Sequence, residues 1–182
     1  MNEMFYFRIK TEWTKESEDG TLGKTKTEEL VQAVNYTDAE RIANELAKDR
    51  SEFGCIDIEI SRTKIQEILY SDVLCKDSNL IGGLVHSYFE EAEDSGVGFY
   101  AVKVMFVVLD ERTGKEKKSN EVIYVPANSN TDAAEQVANF LDRNDTRTFV
   151  IRDIKYDKAE AILWTPETYQ DKTKVFDELY NV

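Results

Sequence analysis

The chain repeats itself. Phe5-Tyr6 returns as Phe99-Tyr100, an offset of 94, and the same offset relates Gly20 to Gly114, Lys24 to Lys118 and Thr37-Asp38-Ala39 to Thr131-Asp132-Ala133. Ala43-Asn44 and Leu46 return one residue late as Ala138-Asn139 and Leu141. Lys64 and Ile68-Leu69 then resume the offset at Lys158 and Ile162-Leu163. Matches that keep one order along a whole unit are hard to obtain by chance. They point to two diverged copies of one small motif and restrict the architecture more than composition does.

Each copy reads as β-β-α-β. Phe5 to Lys10 alternates apolar Phe5, Phe7 and Ile9 with Tyr6, Arg8 and Lys10, the period of a half-buried strand. Its counterpart, Phe99 to Leu109, is almost continuously apolar, which predicts cover on both faces. Turn glycines at Gly20 and Gly114 suit hairpins into second strands at Glu28–Val34 and Glu121–Ala127. Pro126 cannot donate to a ladder, so it belongs at a strand end or an edge. A capping box at Thr37 and Glu40 predicts the first helix, with Ala39, Ile42, Ala43 and Leu46 as its apolar stripe. In the second copy Asp132 and Glu135 take the cap positions, and Ala134, Val137, Ala138 and Leu141 the stripe. Ile56, Ile58 and Ile60 alternate as a third strand, while Phe149, Ile151, Ile154 and Tyr156 break register once, as a bulge would. The closing pieces, 65–70 and 159–164, read equally as strand or helix.

The expected class is therefore α+β: a duplicated β-β-α-β unit with two helices on antiparallel sheet, plus a C-terminal helix. Its parts are a first repeat at 1–70, an acidic inter-repeat segment at 71–98, a second repeat at 99–164 and a helical tail at 165–182. In that tail Thr165 caps, Pro166 suits the first position, and Val175, Phe176, Leu179 and Tyr180 share a face. A half of about 70 residues is marginal alone, so the repeats are expected to form one globule.

Charge narrows the partners. The net charge is −13 and is unevenly spread: 71–98 holds one lysine against six acids, whereas 99–164 is nearly balanced. A field of this sign repels phosphate backbones, so nucleic acid is disfavoured and a basic protein partner favoured. No apolar run is long enough for a membrane span, and Met1 to Phe5 lacks the pattern of a secretory signal. Cys55 and Cys75 suit two reduced thiols in a cytoplasmic protein. Oligomeric state is left open, with a monomer favoured.

Candidate chemistry is sparse. His86 is the one histidine, which excludes a multi-histidine metal site within the chain, and its apolar neighbours favour a structural role. Gly82-Gly83 and Gly96-Val97-Gly98 do not continue into a phosphate-binding fingerprint, so turn glycines are the better reading. Asp153 and Lys155 fall on one side of a strand, as a metal-dependent nuclease would need, but an ordinary ion pair explains them as well. Tyr6, Tyr100, Trp13 and Trp164 offer stacking surfaces for single-stranded nucleic acid, against packing as the plainer role. No cofactor motif is present. The densest negative stretch is Glu90, Glu91, Glu93 and Asp94, with no Lys or Arg nearer than Lys76 and Lys103, and it is the candidate partner-binding site.

Several blocks resemble one family. They are Met4-Phe5-Tyr6-Phe7 through Trp13, Val34 to Arg41, Leu80 to Val85, Tyr88 to Asp94 and Asp157 to Trp164. Together they are similar to a family of unknown function found in gut Bacteroidota, their phages and mobile elements. The resemblance implies a cytoplasmic bacterial or phage setting and brings no reaction, cofactor or catalytic residue. The leading expectation is a non-enzymatic acidic protein that engages a protein partner, in its sharper form a decoy for a nucleic-acid-binding groove. A metal-dependent nuclease using Asp153 and Lys155, or a single-strand binder using the sheet aromatics, are the alternatives.

Overall fold

The computed structural model describes residues 3–50, 55–90 and 95–180. They form an α+β structure whose residues gather into two compact units. Neither unit is continuous in sequence. Unit 1 comprises Met1–Lys64, Cys75–Tyr88 and Ala159–Tyr169, and unit 2 comprises Ile65–Leu74, Phe89–Lys158 and Gln170–Val182.

In unit 1, β1 (Phe5–Glu16) and β2 (Leu22–Ala33) form a long antiparallel hairpin, with Phe5 opposite Ala33 and Glu16 opposite Leu22. β3 (Cys55–Arg62) pairs with the other side of β1. Helix α1 (Tyr36–Arg50) connects β2 to β3 and buries Ala39, Ile42, Ala43 and Leu46, the stripe expected from its spacing. These meet Phe7, Ile9, Val31 and Ala33 from one face of the sheet. Fully burying a side chain of the size of Ile or Leu contributes roughly 1.5–3 kcal/mol, so this stripe fixes the helix. The cap lies two residues before the expected Thr37. Asn35 Oδ1 accepts from the Asp38 amide at 2.8 Å, and Asp38 reaches back to the Val34 amide at 3.3 Å.

Unit 2 uses the same order of elements. β7 (Gly98–Leu109) and β8 (Glu116–Ala127) form the hairpin, α2 (Asn130–Asn144) the helix, and β9 (Thr148–Asp157) the third strand beside β7. Ser129, not Asp132, caps α2: its side chain accepts from the Asp132 amide at 3.1 Å. Register shifts once between Lys103 and Val104, the bulge anticipated in β9. Pro126 lies one residue from the end of β8.

The pairing sets a different correspondence between the two units from the one read in the sequence. Ala33 faces Phe5, whereas Ala127 faces Gly98, so Tyr6 corresponds to Phe99 and not to Tyr100. The extra residue lies in the hairpin loop, which runs over 17–21 in one unit and 110–115 in the other. The helices keep the offset of 94 at their starts and need no slip there. In α2 the offset puts Ala133, Gln136 and Val137 where α1 buries Ala39, Ile42 and Ala43, and Leu141, one residue past the place that matches Leu46, completes the buried set, while Ala134 and Ala138 are half-buried.

The ambiguous closing pieces are strands, and each joins the sheet of the other half. β4 (Ile65–Ile68) follows β3 in sequence but runs parallel to β8. β10 (Ala161–Trp164) follows β9 but runs parallel to β2. The first stretch of unit 1 accordingly ends at Lys64, and Ile65–Leu74 groups with unit 2. The inter-repeat segment supplies two further strands to the first sheet, β5 (Leu74–Lys76) and β6 (Val85–Phe89), β6 antiparallel to β10. The orders are β3-β1-β2-β10-β6-β5 and β4-β8-β7-β9. The tail is helix α3 (Pro166–Tyr180), with Thr165 Oγ1 accepting from the Thr168 amide at 3.2 Å. Its later turns belong to unit 2, where Arg143 donates to the Glu178 carbonyl and Lys172 meets Glu67. Among the described residues no helix is long and apolar enough to cross a membrane.

Candidate functional site

Unit 1 buries a charged cluster. Glu29 lies on β2 in phase with Val31 and Ala33, so the strand period turns it toward the helix, and it is 1% exposed. An isolated carboxylate there would cost several kcal/mol. Arg50, the last residue of α1, closes over it and donates from both terminal nitrogens to its two oxygens, with Nη2 at 2.6 Å from Oε2. Arg50 Nη1 also donates to Thr27 Oγ1 at 3.2 Å. A cation in the last turn of a helix is favoured by the helix dipole as well.

His86 extends the cluster. On β10, Ala161 pairs with Glu29 on one side and Tyr88 on the other, and Leu163 with Val31 and His86. The His86 ring stacks on Tyr88 with centroids 5.5 Å apart. Its Nδ1 is 2.6 Å from Asp77 Oδ2. Its Nε2 is 3.3 Å from Glu29 Oε2, an ion-pair contact that lacks the alignment of a hydrogen bond. Burial alone would push the Glu29 carboxyl up, but the hydrogen bonds from Arg50 and the nearby charges of Arg50 and His86 hold it below the usual range. Burial likewise works against a charged His86, and the carboxylates of Glu29 and Asp77 together outweigh it and raise its pKa. With the imidazole protonated, Asp77, His86, Glu29 and Arg50 alternate in sign and sum to zero. Both ring nitrogens face carboxylates, which favour that form, and the ring ties β2, β6 and the chain at Asp77 together.

The residues expected to carry function do not converge on this cluster. Glu90 directly follows β6; Glu91, Glu93 and Asp94 lie outside the described residues. Asp153 and Lys155 share a side of β9 and pair with each other at 3.7 Å, both well exposed. Among the described residues no group of three His, Cys, Asp or Glu side chains could hold a metal ion. Of the four aromatics proposed for stacking, Tyr6, Tyr100 and Trp164 are buried, and Trp164 Nε1 donates to Ser87 Oγ at 3.2 Å. Burial pushes the Tyr6 hydroxyl up to about 12. These rings are therefore packing groups, as their plainer reading had it. Cys75 is half-buried and forms no disulfide among the described residues.

The glycine pairs have local causes. Gly82 and Gly83 both have positive φ and sit between Ile81 and Leu84, whose amides and carbonyls bond each other at 3.0 and 2.9 Å. That is a two-residue hairpin turn, which needs positive φ at both central positions. At Gly98 a Cβ would come within 2.6 Å of the Tyr156 ring, so only glycine fits.

Sequence reasoning named His86 but not its partners. The available signal was Glu29, an acid in the buried phase of a strand, followed by an arginine at the end of the next helix. No curated protein and no solved structure matches the chain. One family matches over residues 5–165, a span that includes every strand of both sheets and both of the helices that pack on them. On that match the chain belongs to the family described as "Domain of unknown function (DUF4494)".

Proposed function

We propose that this is a non-enzymatic acidic protein that engages a protein partner, in a cytoplasmic setting linked to phages or mobile elements. The partner is basic, and the sharper form of the reading is a decoy that occupies a groove built for nucleic acid.

The observation that supports the reading is how the positive charges are used. Arg8, Lys10, Lys24, Arg41, Lys48, Arg50, Arg147, Lys155 and Lys172 each lie against a carboxylate of the same chain. Local pairing engages these nine of the 23 lysines and arginines, and the chain keeps a surplus of −13 as carboxylates. Such a surface raises the rate of encounter with a cationic partner, more so at low salt. The run Glu90, Glu91, Glu93 and Asp94 is the densest part of that surplus and the proposed contact.

Association kinetics with a labelled lysine- and arginine-rich peptide test this across a salt series. Replacing the four acids by Gln or Asn should slow association and flatten its salt dependence while leaving the denaturation midpoint unchanged. Equal rates and slopes for the two proteins would remove the run from the contact and leave the decoy without support.

A further inference from the structure

The two sheets differ most on the face turned away from their helices. There β7 carries Met105, Val107 and Leu109 at alternate positions, and β9 places Val150 opposite Met105. By strand register the matching residues of the first sheet are Glu12, Thr14 and Glu16 on β1, with Asp57 of β3 opposite Glu12. The hairpin thus forms equally well with charged residues at these places, and the aliphatic ones are not required by the sheet. Nor are they fully covered: Leu109 is 61% exposed, Val150 46%, and Met105 and Val107 are half-buried. The continuous apolar run of β7 predicts cover on both faces, and among the described residues this end of it is only partly covered.

Two lysines repeat the contrast. Lys10 and Lys24 lie 3.8 Å from Glu28 and 3.7 Å from Glu12. At the matching positions Lys103 faces Val122 and Lys118 faces Val107, and the place of Glu12 is taken by Met105. Asp153 stands opposite Lys103 in register, but its carboxylate pairs with Lys155. Lys103 and Lys118 have no carboxylate partner among the described residues.

We infer that this face of the second sheet docks an extended segment of a partner protein, one that places aliphatic side chains against Met105, Val107 and Val150 and carboxylates against Lys103 and Lys118. An extended segment fits because the stripe repeats every second residue and borders β9, the outer strand of its sheet. Exposed aliphatic residues grouped beside unneutralised cations call for a ligand that is both apolar and acidic. A second copy of the chain is disfavoured by its own −13, and phosphate backbones gain nothing from the stripe. That same net charge opposes an acidic segment at long range, so contact and not steering carries the recognition. The assignment does not depend on the acidic run.

The test is fluorescence anisotropy on the full chain with labelled nine-residue peptides. The probe carries Glu, Val, Val, Val and Glu at alternate positions with Thr between them. A second peptide has Lys in place of both Glu, and a single-stranded oligonucleotide is the third probe. The variant Met105→Glu, Val107→Thr, Leu109→Glu, Val150→Asp installs the residues of the first sheet. It should keep the denaturation midpoint and bind the acidic peptide at least about tenfold more weakly, the loss expected when a small apolar contact goes. Lys103→Gln with Lys118→Gln should weaken it too, and neutralising Glu90, Glu91, Glu93 and Asp94 should not. If the four-residue variant shifts the midpoint, Val150→Asp alone gives the same readout at the sheet edge. Equal affinity of variant and parent, no binding of the acidic peptide, or tighter binding of the lysine peptide or the oligonucleotide would each overturn the assignment. So would concentration-dependent dimerisation that the same substitutions abolish.

Discussion

Glu29 in unit 1 and Ile123 in unit 2 hold the same place on the second strand of their sheets. One is the centre of a buried ion cluster and the other is plain core. Around them Thr11 matches Val104, whereas at Ile42, which matches Gln136, the polarity runs the other way. On the outer face the contrast reverses in kind: unit 1 is charged where unit 2 is aliphatic. Unit 1 therefore carries polar groups inside and a conventional surface, while unit 2 has a conventional interior and apolar residues outside. One strand order accommodates both, so topology here does not dictate polarity. The residues that depart from the ordinary inside-out rule are the ones that need a separate explanation.

The sharpest way to break the comparison is to move the charge across. Ile123→Glu would bury a carboxylate with no arginine above it, since Asn144 matches Arg50 at the end of the helix, and should cost roughly 4–5 kcal/mol. A loss under about 1 kcal/mol by urea denaturation would mean that unit 2 supplies a partner of its own. Glu29→Ala, which strands Arg50 and His86, should cost roughly 3–5 kcal/mol. Replacing Glu29, Arg50 and His86 together by Ile, Met and Phe should recover much of it, because an apolar cluster of similar volume needs no pairing.

Leu46→Ala and Leu141→Ala probe what the units share. Each leucine is buried on its helix, and each change should cost roughly 2–5 kcal/mol. A loss below about 0.5 kcal/mol at either site, the usual surface range, would remove that stripe from the core.

Smaller still is the dependence on pH, and it belongs to unit 1. The folded pKa of Glu29 is lowered, so its contribution is present above about 4.5 and is lost as pH falls through the folded value. That of His86 is raised, so its contribution is complete below about 6.5 and is lost as pH rises through the folded value. Native-state hydrogen exchange should accordingly show β6 loosening above neutral pH while β8 does not, and His86→Gln should abolish the difference. Loosening of both strands together would place the titration elsewhere. The smallest effect is expected at the surface: Met105→Glu alone should change stability by less than about 0.5 kcal/mol, which denaturation midpoints would register.

Much of this was legible in the chain and some was not. Alternation in Phe5 to Lys10 and the stripe Ala39, Ile42, Ala43, Leu46 are local signals, and both elements formed where they pointed. The helix caps were misread because Thr37 and Glu40 have the right spacing, yet Asn35 and Asp38 fill the same roles two residues earlier. Ile65–Ile68 and Ala161–Trp164 were ambiguous for a deeper reason. Each is a four-residue parallel strand whose partner lies far along the chain, and no hairpin or period announces such a pairing. The ion cluster escaped for the same cause. Its members come from β2, α1, β6 and the chain at Asp77, and only the exchange of β10 into the first sheet brings His86 beside Glu29.

That exchange also sets a timetable for a growing polypeptide. Gln32 at the end of β2 and the Thr165 amide that donates to its side chain are 133 residues apart. At ordinary rates of synthesis the interval is on the order of ten seconds. Throughout it β2 is an unfinished border, with Leu30 and Val31 open to any passing strand. Lys24, Lys26, Glu28 and Glu29 lie along that border, and charged side chains on an open strand are what keeps nascent chains from adhering to one another. Glu29 thus protects the strand before it is buried, and Arg50 and His86 are what make its later burial tolerable.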